Sequence, residues 1–280
     1  MAEAGDPRPI GVFDSGVGGL TVLSELHRRL PAEPTVYLGD NARTPYGPRP
    51  ADEVRAFTLE AVEWLLAQDV KLLVLACNTA TARALDDVRS RSPVPVLGVV
   101  RPGAVAVAAA TRSRDVGVIA TAGTVESGAY PRAIEEADSR IRVAQVACPE
   151  LVPMVEAGMV EGRRAESVLR AYLEPMTAAQ PTMDTLLLGC THYPLLRASI
   201  ELIVGPSVAV VDSAFTTALA VEDLLDALDR RAPDGADATR RAATTGDVDA
   251  FVTIAERIFG AHLPEVEAVS LEPAAAVPLD

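Results

Sequence analysis

Leu72-Leu73-Val74-Leu75-Ala76-Cys77-Asn78-Thr79 decides the reading of this chain, because Leu186-Leu187-Leu188-Gly189-Cys190-Thr191-His192 repeats its plan. Each is a short apolar run, the pattern of a strand buried on both faces, ending in a cysteine and then polar residues. A second pair of fragments precedes them in the same order. Ile10-Gly11-Val12-Phe13 runs into Asp14-Ser15-Gly16, and Val116-Gly117-Val118-Ile119 runs into Ala120-Thr121-Ala122-Gly123. Two events in one order at nearly one offset predict two similar lobes.

Outward from these fragments, short β-branched runs alternate with longer Ala/Leu/Glu/Arg stretches, which predicts parallel α/β architecture. Strands are expected at residues 10–13, 35–38, 71–76, 96–99, 115–119, 142–147, 185–188 and 208–211. Helices are expected at 19–29, 51–67 and 161–179, a polar loop or mobile linker at 231–241, and a further amphipathic helix at 248–260. Lobes facing each other about an approximate two-fold axis put equivalent strand ends on one shared cleft. Ligands of parallel sheets bind at those carboxyl ends. Cys77 and Cys190 then project into the cleft from opposite sides.

Composition removes whole classes of function. Of 280 residues 49% are hydrophobic and only 4% aromatic, so the length suits roughly two domains with cores of Ala, Val and Leu. The most apolar stretch, around residues 96–110, is interrupted by Arg101 and Pro102 and is no membrane span. The start, MAEAGDPRP, lacks the basic end and apolar run of a secretory signal, so a cytoplasmic protein is expected. A net charge of −14 argues against nucleic acid as the main partner. The three cysteines, Cys77, Cys148 and Cys190, are too few and too dispersed for a disulfide framework. Lys71 is the sole lysine, and it precedes its apolar run at the amino end of the expected strand, opposite the ligand edge. A pyridoxal mechanism needs a lysine Schiff base at the cofactor, so none is expected.

Two thiols across a cleft suit one kind of chemistry. Inverting an amino acid's α-carbon means taking a proton from one face and delivering one to the other. A thiolate on one side and a thiol on the other do this directly, exchanging roles in reverse. An ordinary thiol, with a pKa of about 8.5, is only slightly ionised at pH 7, and a helix N-terminus after each strand would lower that pKa. Taken singly, a cysteine ending an apolar strand is most often a small buried hydrophobe. The matched polar neighbours and the repeat favour function for the pair, whereas Cys148 has no such partner and is read as structural. Cys190 and His192 are the one close pair of zinc-ligand type and CxxC is absent, so no metal is expected. Gly16-Val17-Gly18-Gly19-Leu20-Thr21 has threonine where a dinucleotide fingerprint has its third glycine. Asp14 and Ser15 favour a small polar ligand there, with a simple helix cap as the alternative for Asp14. His192, two residues beyond Cys190, is read as that thiol's proton partner, with a satisfied structural histidine as its alternative.

Taken together, these segments resemble the glutamate racemases of the cofactor-independent aspartate/glutamate racemase family. The resemblance rests on residues 11–20 (GVFDSGVGGL), 40–49 (DNARTPYGPR), 76–80 (ACNTA), 188–195 (LGCTHYPL), 148–153 (CPELVP) and 211–214 (VDSA), and it spans residues 10–271. It implies two similar parallel-sheet α/β lobes with pseudo-two-fold symmetry and the active site in the cleft between them. Residues 7–100 with 207–280 would form the first lobe and 101–206 the second. It further implies Cys77 and Cys190 as the catalytic acid/base pair, assisted by Asp14, His192 and Glu150. Asp14, Ser15, Tyr46, Gly47, Asn78, Thr79, Thr191 and His192 would contact substrate.

The implied activity is interconversion of L- and D-glutamate by a homodimer without cofactor, supplying D-glutamate for peptidoglycan. A diacid entering an acidic protein needs local donors, and these pairs offer hydroxyls, an amide and backbone N–H groups without any arginine. Where the family often has Glu-Pro-Ala, this chain reads Arg101-Pro102-Gly103, near the expected lobe junction. Nine residues precede the first expected strand, so no elaborate N-terminal regulatory extension is expected. Two alternatives stay open at this stage. One is an aspartate racemase; the other, from a different class, is a two-lobed binding protein for small acidic ligands with inert cysteines.

Overall fold

The computed structural model describes residues 5–233, 235, 238–259 and 265–272. Strand and helix alternate through the first part: β1 (Ile10–Asp14), α1 (Leu20–Arg29), β2 (Thr35–Gly39), α2 (Ala51–Leu66), β3 (Leu72–Leu75), α3 (Asn78–Arg91) and β4 (Val96–Gly98). The middle holds α4 (Val100–Ala110), β5 (Asp115–Ala120), α5 (Ala122–Ser127), α6 (Ala129–Ala137), β6 (Arg142–Ala147), α7 (Leu151–Glu156), α8 (Arg163–Ala179) and β7 (Thr185–Gly189). A short 3-10 helix (Tyr193–Leu196) leads to α9 (Arg197–Val204), β8 (Ala209–Asp212), α10 (Ser213–Ala227), β9 (Arg240–Thr244), α11 (Val248–Phe259) and β10 (Val266–Ala268). Among the described residues the strands form two sheets, ordered β10-β9-β2-β1-β3-β4 and β6-β5-β7-β8. Every pairing is parallel. The order β2-β1-β3-β4 recurs as β6-β5-β7-β8, so the repeated fragments mark equivalent strands: β1 with β5, and β3 with β7.

The strand sequences are apolar on both sides because helices cover both faces. In the first sheet Val12, Tyr37 and Val74 pack with apolar residues of α1, α10 and α11. Their neighbours Phe13, Leu38, Leu73 and Leu75 point the other way, into α2 and α3. The second sheet is sandwiched likewise, with α7, α8 and α9 on one face and α4 and α6 on the other. Central β5 carries Gly117 for reasons of space: a Cβ there would lie 2.5 Å from Met183 Sδ and 2.7 Å from Met176 Sδ. Glycine thus lets α8 rest directly on the strand. No described helix is long and apolar enough to cross a membrane.

Several elements differ from the sequence expectations. β8 pairs with β7, so the second sheet continues through Asp212, past the expected return at residue 207. The reason is packing, since Val208 and Val210 lie against the core between β7 and α8. β9 and β10 were not expected. Arg240-Arg241-Ala242-Ala243-Thr244 has no β-branched run, and pairing with β2 supplies what its composition lacks. The stretch 231–241, expected as a polar loop or mobile linker, is loop at 231–233, 235 and 238–239, and it is tethered where it begins: Arg231 O accepts the Asp6 amide at 2.9 Å, and the Ala232 amide donates to Glu33 at 2.8 Å. Its residues 234, 236 and 237 lie outside the described residues, as does Gly260 at the end of the expected last helix.

Lys71 closes the same corner. It is fully buried, its ammonium 2.6 Å from the Glu33 carboxylate and 2.6 Å from the Asp6 carbonyl. Its amide donates to Pro9 O, at the amino edge of the first sheet. Removing one partner of a buried ion pair leaves the other charge uncompensated, at about 3–5 kcal/mol. Lys71→Met is therefore expected to lower the unfolding free energy in urea by about 3 kcal/mol, and adding Glu33→Gln to recover part of that loss.

Candidate active site

Both cysteines of the repeated fragments stand within two residues of the carboxyl ends of equivalent strands, and both are buried. They line one cavity of about 200 Å³ at the seam of the two lobes. Ser15, residues 44–48 and residues 77–79 wall it from the first lobe, and Thr121, Cys148, Val152 and residues 190–192 from the second. Cys148, read from sequence as structural, therefore also reaches the cavity wall while packing in the second core. The described lining contains no Arg or Lys, and its one basic side chain is His192.

Cys77 caps the N-terminus of α3. Its Sγ accepts the Ala80 amide at 3.4 Å and lies 3.4 Å from Ser15 Oγ. Against expectation, the lowering pull of the helix N-terminus on its pKa does not prevail. Burial, reinforced by the Asp14 charge, pushes the thiol up to about 12, outweighing the bonds from Ser15 and Ala80. Cys190 has different surroundings. No α-helix begins directly after it; His192 occupies the cap of the 3-10 helix, its Nδ1 3.9 Å from Cys190 Sγ. The other ring nitrogen, Nε2, lies 3.1 Å from Glu156 Oε1. Burial opposes a charge on this imidazole, but the bonds to Cys190 and Glu156 and the nearby Asp14 prevail, raising its pKa to about 10.

Asp14 ends β1, buried, with Oδ1 accepting the Gly16 amide at 2.9 Å. Burial raises its carboxyl above the ordinary range, partly offset by His192. Thr191 Oγ1 donates to its Oδ2 at 3.5 Å across the seam. Other side chains expected at the substrate also join the lobes. Asn78 Nδ2 donates to the Tyr130 hydroxyl at 2.7 Å, and Thr79 Oγ1 lies 2.9 Å from Thr121 Oγ1. Gly47 O accepts the Gly123 amide at 2.9 Å. Tyr46 lines the cavity, and its hydroxyl donates to the buried Asp40 carboxylate. The loop bearing Tyr46 and Gly47 is clamped: Arg43 lies 4.1 Å over the Phe57 ring, pairing Asp40 at 2.7 Å and also Glu60.

Two expected residues are not in the cavity wall: Asp14 lies behind it, bonded to Gly16 and Thr191, and Glu150 lies outside it. Glu150 is exposed at the outer start of α7, where its carboxylate accepts the Tyr172 hydroxyl at 3.0 Å. Glu156, at the far end of that helix, occupies the place beside His192 instead. Sequence reading passed over it because both acids flank the same short apolar segment, Leu151-Val152-Pro153-Met154-Val155, and only the helix orientation distinguishes them.

A model of the Asp/Glu/Hydantoin racemase family matches residues 10–239. The chain belongs to that family. It is an isomerase, and its relatives agree on that. A glutamate racemase of Shouchella clausii is 47% identical, with 95% of each chain covered. The crystal structure of glutamate racemase isoform RacE1 from Bacillus anthracis superposes with a TM-score of 0.90 at 42% identity, covering 94% of this chain and 98% of that one. That of glutamate racemase from Francisella tularensis, in complex with D-glutamate, gives 0.88 at 34% identity, covering 95% and 99%.

The imidazole is the most directly measurable feature of this racemase-family site. In an NMR titration His192 is expected to keep its proton to about pH 10, while His27, pushed down by burial to about 4, stays neutral above that pH. Because the folded-state value of His192 lies above the ordinary 6.5, its contribution to stability is full below about pH 6.5 and is lost as pH rises to about 10. Glu156→Gln removes one of the groups that hold the proton, so the His192 midpoint should move toward neutral pH.

Proposed function

We propose that this racemase interconverts L- and D-glutamate by two-base proton transfer at Cα, with Cys77 and Cys190 acting from opposite faces. The observation that carries the reading is that two buried thiols from equivalent strand ends of different lobes line a single cavity. Glutamate is favoured over aspartate because the relatives named above are glutamate racemases, one of them crystallised with D-glutamate.

In each direction a thiolate on one face takes the Cα proton, and the C–H electron pair stays on the substrate, spread into its carboxylate. The thiol on the other face then forms the new C–H bond and is left as thiolate. Carbanionic charge needs donors that are already oriented, and the seam carries them: the hydroxyls of Ser15, Thr79 and Thr191 and the backbone N–H groups beside them. On the Cys190 side the His192 imidazolium faces the sulfur and, backed by Glu156, offers positive charge to a thiolate formed there. On the Cys77 side the raised pKa keeps the sulfur protonated at rest, the state that delivers a proton. The substrate ammonium, brought beside that sulfur, favours the thiolate needed for the reverse direction, and Asp14, whose charge reaches the same sulfur, is assigned to help move the proton. The reading includes supply of D-glutamate for peptidoglycan, a cytoplasmic location and a homodimeric enzyme.

The direct test follows each glutamate enantiomer in D2O without added cofactor. The product enantiomer should carry deuterium at Cα. Cys77→Ser and Cys190→Ser should each lower racemisation by at least about 10³-fold with an unchanged circular dichroism spectrum. A chain that binds glutamate but leaves its optical rotation and Cα proton untouched would be a binding protein, and full activity in either variant would remove that thiol from the mechanism.

A further inference from the structure

Gly18, in the turn between β1 and α1, has no left-handed backbone angle, so its conformation does not call for glycine. Space does. A Cβ there would lie 2.4 Å from His192 Nδ1, 2.5 Å from His192 Cε1 and 2.5 Å from Thr191 Oγ1. The nearest of these atoms, Nδ1, is the nitrogen that faces Cys190 Sγ. The imidazole has little room to retreat, because Nε2 is held by Glu156. The same turn grips the neighbouring backbone, with Thr21 Oγ1 placed to donate to Thr191 O at 3.1 Å and to Gly18 O at 2.8 Å. A turn of the first lobe is therefore the wall against which the second lobe's Thr191 and His192 rest.

We propose that Gly18 is a positioning residue for proton transfer at Cys190. Contact with this turn sets the separation of His192 Nδ1 from Cys190 Sγ, so the thiol–imidazole pair is fully assembled only when the lobes are closed. The inference rests on the reading of Cys190 and His192 as a proton-transfer pair. A methyl group at position 18 needs about 1 Å more than the closed arrangement leaves, and misplacement on that scale costs about 10²-fold in rate. Pushed aside, the ring leaves its place beside Cys190 Sγ; with the lobes held apart, it loses the wall that keeps it there. The titratable groups around this imidazole are Cys190 after β7, Glu156 on α7 and Asp14 on β1. A changed position of the ring therefore changes its titration.

The test is Gly18→Ala in the full chain, read by two measurements. The NMR midpoint of His192 is expected to fall from about 10 to below about 9. The kcat/KM for glutamate should fall about 10²-fold, equally for both enantiomers because their equilibrium constant is one. An unchanged midpoint overturns the proposal, even if activity is lost. If Gly18→Ala does not fold, Thr21→Val decides. Losing the hydroxyl to Thr191 O should move the midpoint the same way by a smaller amount, and no movement overturns the proposal. The titration is independent of turnover, so wild-type protein that fails to racemise glutamate would reject the proposed activity while the midpoint still judges Gly18.

Discussion

A thiol, an imidazole and a carboxylate held together at the seam, the first two buried, form the contact on which this site depends. Burying His192 works against its charge, and the fold compensates with Cys190 on one nitrogen and Glu156 on the other. Each partner comes from a different place in the second lobe: Cys190 from the end of β7, His192 from the turn after it, and Glu156 from the end of α7. The parallel sheet fixes the backbone of the first two, the Gly18 turn backs the imidazole, and the packing of Leu151, Met154 and Val155 into the second core fixes the third. Such a chain of hydrogen bonds is strong where water is excluded and costly when one member is missing.

The scaffold repeats but the chemistry on its two halves does not. Strand order and the position of the cysteine recur, whereas the residues after the cysteine diverge, Asn78-Thr79 in one lobe and Thr191-His192 in the other. Cys77 meets a hydroxyl and a backbone amide, and burial keeps it protonated; Cys190 meets an imidazole. A reaction that treats mirror-image substrates alike is thus assigned to unlike groups on its two faces. Asn78, Thr79, Thr191 and Gly47 bond across the seam and line the cavity, so lobe closure and assembly of the site are one event.

The parallel strands were legible because burial on both faces leaves apolar runs that few other structures produce. The repeated order of Ile10-Gly11-Val12-Phe13 and Leu72-Leu73-Val74-Leu75 then gave the two sheets and the shared cavity. β9 was not legible, since an Ala-Ala centre flanked by arginines has no strand signature and acquires one only beside β2. The rise in the Cys77 pKa was missed for a related reason. A helix N-terminus is visible in sequence, but the desolvation that outweighs it belongs to the assembled lobes. Glu150 and Glu156 show the same limit at single-residue scale, because which end of a short helix faces a histidine is decided by packing.

A crystal structure of the protein with glutamate bound tests the central claim most directly. The account predicts the substrate Cα between the sulfurs of Cys77 and Cys190, within about 3.5 Å of each and on opposite faces, with His192 still between Cys190 and Glu156. A Cα in reach of one sulfur only, or with another side chain at its second face, would contradict it.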